Sequence, residues 1–335
     1  MSTSKIKASR GAPHARILGV GGYRPVRVVP NEVILETIDS SDEWIRSRSG
    51  IVTRHWAGED ETVSAMAVEA AGKAIANAGI TPERIGAVVV STVSHFRQTP
   101  AVATEIADRL GTDRAAAFDI SAGCAGFGYG LTLAKGLIVD GTAEYALVIG
   151  VERLSDLTDL TDRKTAFLFG DGAGAAVVGP SEVPAIGPTV WGSEGDKSET
   201  IQQTVPWSAY RNGPVEKFPA ITQEGQAVFR WAVYEMAKVA QQALDAAGLS
   251  ASDLDVFIPH QANMRIIDSM AKTLKLPDSV TIARDVEHTG NTSAASIPLA
   301  MERLLATGEA KSGDTALVIG FGAGLAYAAT VVTLP

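Results

Sequence analysis

A repeat of about 170 residues constrains this 335-residue chain more than any other feature. Residues 78–91 close a helix on Ala78-Gly79, make a short loop and enter an apolar strand; residues 247–260 do the same 169 positions later. Independently, Ala146-Leu147-Val148-Ile149-Gly150 returns as Ala316-Leu317-Val318-Ile319-Gly320, 170 positions later. Two matches at nearly one spacing mark a duplicated unit. The expected division is a half over 1–183 and a half over 184–335, a length that suits two domains or one body of two similar halves.

Each half alternates helical and strand patterns. Over 63–79, Met66, Ala70, Ala74, Ile75 and Ala78 fall at helical spacing and Gly79 serves as C-cap. Strands are predicted at 86–93, 115–120 and 145–151, and helices at 101–110 and 124–139. The second half predicts helices at 225–247 and 293–306, with strands near 255–259, 280–284, 315–320 and 326–333. Near-continuous apolar strands alternating with helices imply an α/β fold with a parallel or mixed sheet covered on both faces. The runs 166–169 and 175–178 read as antiparallel strands joined by the turn Gly170-Asp171-Gly172-Ala173-Gly174. With no helix behind it and no Gly-Lys-Ser/Thr, that turn is not a phosphate loop. Residues 184–220 carry no clear period and read as a long loop.

A formal charge of −9 argues against affinity for nucleic acid or anionic membranes. The single cysteine permits no internal disulfide and fits a reducing cytoplasm. The start of the chain, Met1 to Arg16, is basic and polar without an apolar segment behind it, and no run of about 18 apolar residues follows. These observations lead to the expectation of a soluble, cytoplasmic protein.

Cys124 lies in Ser121-Ala122-Gly123-Cys124-Ala125-Gly126-Phe127-Gly128, where a strand ends and a helix begins. A thiol at a helix N-terminus meets unpaired N–H groups, which favours the thiolate. A lone cysteine is more often a small core residue, but a Gly-rich strand-to-helix turn shifts the reading toward a nucleophile. His260, in Pro259-His260-Gln261-Ala262-Asn263, is the repeat counterpart of Ser91. Asn291, in Gly290-Asn291-Thr292-Ser293, sits in the image of the cysteine loop, since Ser293 follows Cys124 by 169 positions. Corresponding strand ends therefore bring Cys124, His260 and Asn291 toward one cleft.

Together, Cys124, His260-Gln261-Ala262-Asn263 and Gly290-Asn291-Thr292-Ser293 resemble the β-ketoacyl-acyl carrier protein synthase III family. The resemblance runs from Asp42-Glu43-Trp44-Ile45 to Phe321-Gly322-Ala323-Gly324. It implies the thiolase fold, a five-layer αβαβα arrangement of duplicated α/β halves, and a homodimer. It also implies decarboxylative Claisen condensation of an acyl-coenzyme A primer with malonyl-acyl carrier protein, which initiates fatty acid biosynthesis. Cys124 resembles the acyl acceptor, and His260 and Asn291 match the donors to the malonyl thioester carbonyl. Trp44, Arg48 and Arg163 resemble the positions that hold the nucleotide end of coenzyme A. Phe321, Gly322 and Ala323 belong to the turn whose N–H joins that of Cys124 as an oxyanion hole. No metal or redox cofactor is expected; the coenzyme A thioester is a substrate.

An acidic enzyme must dock an acidic carrier through a local basic patch. Arg265 and Lys272 are seven apart on the helix after the His260 motif and Arg230 lies near the start of another, so these three are the docking candidates. The segment His95-Phe96-Arg97-Gln98-Thr99-Pro100 departs from the family pattern. Members that prefer acetyl carry a bulky Phe here, and Thr99 in its place would open the acyl pocket to longer or branched primers.

Five rivals are weaker. A degradative thiolase needs a second cysteine. Plant-type polyketide synthases lack the Trp44 and His260-Gln261-Ala262-Asn263 context, and relatives that acylate oxygen or nitrogen have no use for Asn291. A Cys-His-Asn hydrolase would release free acid where a condensing enzyme releases carbon dioxide and a β-ketoacyl product. An acyl-binding protein would tolerate Cys124→Ala.

Overall fold

The computed structural model describes residues 6–112, 114–214 and 217–335. The first half contains β1 (His14–Tyr23), β2 (Arg27–Pro30), α1 (Asn31–Leu35), α2 (Asp42–Ser49), β3 (Thr53–Trp56), α3 (Val63–Ala78), β4 (Ile85–Ser91), α4 (Val102–Leu110), β5 (Ala116–Ile120), α5 (Gly126–Asp140), β6 (Tyr145–Arg153) and β7 (Asp171–Ser181). The second contains β8 (Val190–Ser193), β9 (Ile201–Gln203), α6 (Trp207–Asn212), β10 (Ile221–Gln223), α7 (Gly225–Ala247), β11 (Val256–Pro259), α8 (Met264–Thr273), β12 (Thr281–Ile282), α9 (Val286–Thr289), α10 (Ser296–Thr307), β13 (Thr315–Gly322) and β14 (Ala326–Thr333).

Two five-stranded mixed sheets form, ordered β1-β7-β6-β4-β5 and β12-β11-β13-β14-β8. Exchanging β4, β5, β6, β7 and β1 for β11, β12, β13, β14 and β8 turns one order into the other. The register repeats as well. Ala87 faces Ala146 in the first sheet and Val256 faces Ala316 in the second, the positions equated by the sequence repeat. Gly79 and Gly248 close α3 and α7 at φ +66° and +72°, a region that glycine occupies without strain.

Alternation along the strands builds the layers. In β6, Ala146 and Val148 face a central core, while Leu147, Ile149 and Val151 face outward onto α3 and α4. In β13, Ala316 and Val318 face the centre, while Leu317, Ile319 and Phe321 pack on α7 and α8. The centre is filled by α5 (Phe127, Leu131, Ala134, Ile138) and α10 (Ile297, Ala300, Met301, Leu304). The result is helix, sheet, helix, sheet, helix: the expected five layers, with α5 and α10 sealed between the sheets.

Two local expectations fail. The glycines at 170–174 do not turn a hairpin; residues 166–169 lie outside any strand, and Gly172 and Gly174 are extended within β7. A Cβ on Gly174 would stand 2.7 Å from Pro298 of α10 and one on Gly172 3.0 Å from Leu299, so these glycines admit a close helix rather than a turn. Residues 184–220 are not one loop: they hold β8, β9 and α6, with β9 paired to β10. Among the described residues, no helix is long and apolar enough to cross a membrane.

Candidate active site

Cys124 sits in a single 3-10 turn, Gly123–Ala125, that leads into α5. The equivalent turn in the second half is Ser293–Ala295, leading into α10. Gly123 and Ser293 both have positive φ, +50° and +47°, so the structural match is Gly123 to Ser293 and Cys124 to Ala294. The sequence alignment of Cys124 with Ser293 is thus one residue off.

The two turns cross between the halves. A Cβ on Gly320 of β13 would lie 2.8 Å from the Cys124 carbonyl oxygen, and one on its repeat partner Gly150 of β6 would lie 2.1 Å from the Ala294 carbonyl oxygen. Each half therefore lays its turn on a bare glycine of the other, and the side chains of both converge on a cavity of about 900 Å³. Cys124, His260, Asn291, Ser293, Phe321, Gly322 and Ala323 all line it.

His260 follows β11, with its ring 2% exposed and edge-on to Phe321 at 5.5 Å. Its Nδ1 lies 2.7 Å from the Ser296 hydroxyl oxygen, which also accepts the Gln261 N–H at 3.3 Å. The Ser296 hydroxyl accepts from Gln261, and its own proton is assigned to Nδ1. That leaves the other ring nitrogen, Nε2, protonated. Burial lowers the His260 pKa to about 3, so the ring is a neutral donor at physiological pH.

Asn291 is fixed by a different device. Its Oδ1 accepts the Ser293 N–H at 2.8 Å, leaving the amide NH₂ as its free donor end. Its backbone donates to Leu168 O and accepts from Gly170 N, at 2.8 and 3.0 Å. Gly290 precedes it at φ +65°, where a Cβ would meet Arg54 and the Leu168 carbonyl at 3.0 Å. Fully buried Arg54 supports this loop from behind by donating to Val29 O, Asn31 Oδ1 and Phe167 O. Desolvation lowers its pKa to about 10, which leaves it charged at neutral pH.

Gly322 passes directly over the thiol; a Cβ there would stand 2.8 Å from Cys124 Sγ and 3.3 Å from Cys124 N. The expected resting thiolate is not found. Burial pushes the Cys124 thiol up to about 12, against a smaller opposing effect of the Ser293 hydroxyl. Among the described residues no cation offsets this desolvation, and a helix N-terminus alone leaves the thiol protonated.

The other sequence candidates divide. Trp44 lies under Arg163, with Cζ 4.9 Å from the ring centroid, and beside Arg48 at 5.9 Å, so this trio is assembled. Trp44 packs edge-on against Phe167 at 5.4 Å, and the Arg48 carbonyl accepts from Asn263 Nδ2 at 2.9 Å. Arg230 on α7 and Arg265 and Lys272 on α8 are exposed and make no ion pair among the described residues. Arg265 stacks on Phe229 of α7 at 5.1 Å. Thr99 is exposed and outside the cavity wall, to which the same segment contributes Val93, His95, Phe96, Arg97 and Gln98.

The sequence reading missed Ser296, which needed the repeat image of Gly126 to be followed into α10. It also missed Glu152, hidden in an apolar strand, and an aromatic wall. In that wall Phe218 stacks with Phe96, Trp207 and Tyr210 at 5.3 to 5.6 Å. All four residues lie outside the predicted helices and strands, where no periodicity signals them.

Comparison with known proteins gives consistent matches. The family described as 3-Oxoacyl-[acyl-carrier-protein (ACP)] synthase III matches residues 118–195, and its C-terminal counterpart matches residues 244–334. A beta-ketoacyl-[acyl-carrier-protein] synthase III of Streptomyces glaucescens is 84% identical across 99% of this chain and 100% of its own. The mycobacterial beta-ketoacyl-[acyl-carrier-protein] synthase III of Mycobacterium marinum is 53% identical across 99% of both. Among solved structures, the priming beta-ketosynthase of the R1128 polyketide pathway matches with TM-score 0.96 and 46% identity, covering 100% of this chain and 99% of that one. A 3-oxoacyl-(acyl carrier protein) synthase III of Pseudomonas aeruginosa matches with TM-score 0.88 and 38% identity, covering 96% and 98%.

Proposed function

Because this chain belongs to the 3-oxoacyl-[acyl-carrier-protein] synthase III family, we propose that Cys124, His260 and Asn291 carry the family's reaction here. The enzyme is a condensing acyltransferase that joins an acyl-coenzyme A primer to malonyl-acyl carrier protein and initiates fatty acid biosynthesis. One observation carries the assignment of residues: a thiol and two neutral donors, each oriented by its own hydrogen bond, line one cavity.

Attack of Cys124 Sγ on the primer carbonyl creates an oxyanion. The N–H groups of Cys124 and of the Phe321–Ala323 turn are the donors for it, and losing one such donor typically costs about 3 kcal/mol. Malonyl thioester then loses carbon dioxide, and charge collects on its thioester oxygen. His260 Nε2–H and Asn291 Nδ2–H stabilise that oxygen without an ion pair that would hold the departing carboxylate. The enolate carbon attacks acyl-Cys124 and releases the product on its carrier.

The half over 1–183 supplies the nucleophile and the half over 184–335 the two donors. Trp44, flanked by Arg48 and Arg163, suits a flat base bearing phosphates. Arg230, Arg265 and Lys272 are exposed cations on two packed helices, with no ion pair among the described residues, and suit an acidic carrier. The edge strand β5 lies half-exposed at the end of the first sheet and offers a homodimer its seam. The lone cysteine and the acidic surface suit the cytoplasm, and no resident metal or redox cofactor is assigned. The large aromatic-walled cavity supports primers beyond acetyl.

Incubation with acyl-coenzyme A and malonyl carrier protein tests the assignment. Carbon dioxide and a β-ketoacyl product are expected, with the acyl label on Cys124. Free acid as the sole product would overturn it. A primer series of acetyl, isobutyryl and octanoyl tests the cavity, and strict acetyl preference would refute the wider range.

A further inference from the structure

Glu152 is the penultimate residue of β6, has no exposed surface, and is left without a role by the condensation chemistry. Its Oε2 accepts from Ser94 Oγ at 2.6 Å, Val93 N at 3.1 Å and Thr92 Oγ1 at 3.3 Å. Ser94 Oγ in turn accepts the Arg153 N–H at 2.8 Å, and Thr92 Oγ1 accepts the Ser94 N–H at 3.3 Å. The ladder between β4 and β6 ends at Ser91 and Gly150, so beyond it one carboxyl oxygen takes over the pairing and folds residues 92–94 around itself. A buried carboxyl is costly to keep unless its hydrogen bonds are made. Oε1 has no hydrogen-bond partner among the described residues, so the bonding of Glu152 runs through Oε2 to this one segment.

The far end of the segment is fixed in the same way. Asp119 of β5 accepts the N–H groups of Val102 and Ala103, at 2.8 and 2.9 Å, where α4 begins. The connection from β4 to α4 is thus strung between two carboxyl groups, and its middle forms cavity wall from Val93 to Gln98. That wall stands beside the nucleophile. Ser91 of β4 pairs in parallel with Ile120 of β5; Val93 follows the first by two residues and Cys124 the second by four, so the two chains leave the sheet side by side and line one cavity. Phe96 carries the wall across to the second half, edge-on to Trp207 at 5.5 Å and to Phe218 at 5.4 Å. Val93 and Phe96 are 36% and 46% exposed, so burial does not hold them in place and the anchors of the segment must.

We propose that Glu152 is the positioning residue for the primer-facing wall of the cavity: by holding Thr92, Val93 and Ser94 it sets where Val93 and Phe96 stand against the acyl chain on Cys124, and so which primers the enzyme accepts. The proposal deepens the reading that this cavity takes the primer, and rests on it. A well-formed apolar pocket discriminates a single methylene by about 10- to 200-fold, and a wall that can shift gives up that discrimination. Decarboxylation stands apart, because His260 and Asn291 are held by Ser296, by the Ser293 N–H and by the backbone of Leu168 and Gly170, none of which Glu152 bonds.

The test on the whole enzyme is kcat/KM for acetyl-, isobutyryl- and octanoyl-coenzyme A, set against carbon dioxide release from malonyl carrier protein by enzyme already acylated with isobutyryl. In Glu152→Ala the spread between the best and the poorest primer should narrow by about 10-fold, while carbon dioxide release stays within a few-fold of wild type. Glu152→Gln keeps an oxygen that can accept the same three bonds, and should keep the wild-type spread. Ser94→Ala removes the shortest bond and should narrow the spread by less, which decides the matter should Glu152→Ala fail to fold. An unchanged spread in the Ala variants, or an equal loss for every primer and for carbon dioxide release, would overturn the role. So would a wild type that takes all three primers equally, or a Gln variant that matches Ala, since charge and not position would then be acting. Failure of wild-type Cys124 to accept any primer would instead remove the reading on which the proposal rests.

Discussion

Replacing Ser296 by Ala should disable decarboxylation while sparing acylation. The Ser296 hydroxyl is the group that gives His260 its Nε2–H, by donating to Nδ1 at 2.7 Å. The ring is neutral because burial holds its pKa near 3, so it carries one proton and must choose a nitrogen for it. Without Ser296 an unpaired buried Nδ1 costs about 1–3 kcal/mol, which favours moving the proton there. The nitrogen facing the cavity then offers a lone pair to the developing enolate oxygen. Loss of one donor of this kind costs about 3 kcal/mol, or about 10²-fold in rate. Acylation uses the backbone N–H groups of Cys124 and the Phe321–Ala323 turn and should change only a few-fold. The assay is release of labelled carbon dioxide from malonyl carrier protein, set against mass-spectrometric acylation of Cys124. Ser296→Thr keeps the hydroxyl and should recover part of the loss. Decarboxylation within a few-fold of wild type in the Ala variant would refute the tautomer assignment, and equal loss in both assays would reduce Ser296 to a packing role.

Gly322→Ala places a Cβ 2.8 Å from Cys124 Sγ and should abolish acylation with little change in Tm; a normal acylation burst would refute the close approach. Glu152 should also shape stability. Its folded pKa, about 7 against an ordinary carboxyl value of 4.5, means that the carboxyl is tolerated neutral below pH 4.5 and penalised as pH rises through 7. At 1.36 kcal/mol per pKa unit this reaches about 3 kcal/mol, so Glu152→Gln should raise Tm at pH 8 and lose that advantage by pH 4.5; a pH-independent difference would contradict the burial argument. Trp44→Ala should raise KM for acyl-coenzyme A several-fold at nearly constant kcat, as the loss of a uniform binding contact does; a fall in kcat alone would argue against a nucleotide platform. Joint replacement of Arg265 and Lys272 by Glu should raise KM for the malonyl carrier but not for malonyl-coenzyme A, and equal effects on both would refute carrier docking.

The duplication was legible because both strand registers and both cap glycines obey one spacing, and spacing survives when side chains differ. Glycine was less legible. At 79 and 248 it caps helices, which the flanking helical periods announce. At 172 and 174 it lies in a strand because α10 presses on it, and a contact 124 to 127 residues away leaves no local mark. Cys124, His260 and Asn291 could be read because each lies at a strand end or in the loop that images one. Ser296 and Glu152 could not, since their partners lie in other segments, at 260 for the first and at 92–94 for the second. The resting state of the thiol was misjudged for the same reason: a helix N-terminus is visible in sequence, whereas burial without a cation is not.

The reciprocal crossing explains why a duplicated fold yields a single asymmetric site. In the first half, Ser91 ends β4 and Gly126 opens α5 so closely that a Cβ at 126 would stand 1.7 Å from Ser91 Oγ. In the second half the same two positions hold His260 and Ser296, joined by a hydrogen bond. The first half thus keeps small residues around a nucleophile, and the second keeps polar ones around the place where charge develops. Gly150 and Gly320 bring the two turns together, and either glycine replaced by Ala would force a carbonyl of the opposite half away. Such a change should weaken acylation and decarboxylation alike, because it moves the halves apart instead of removing one donor. That joint loss separates it from Ser296→Ala, and selective loss of one half-reaction would show that the turns are positioned independently.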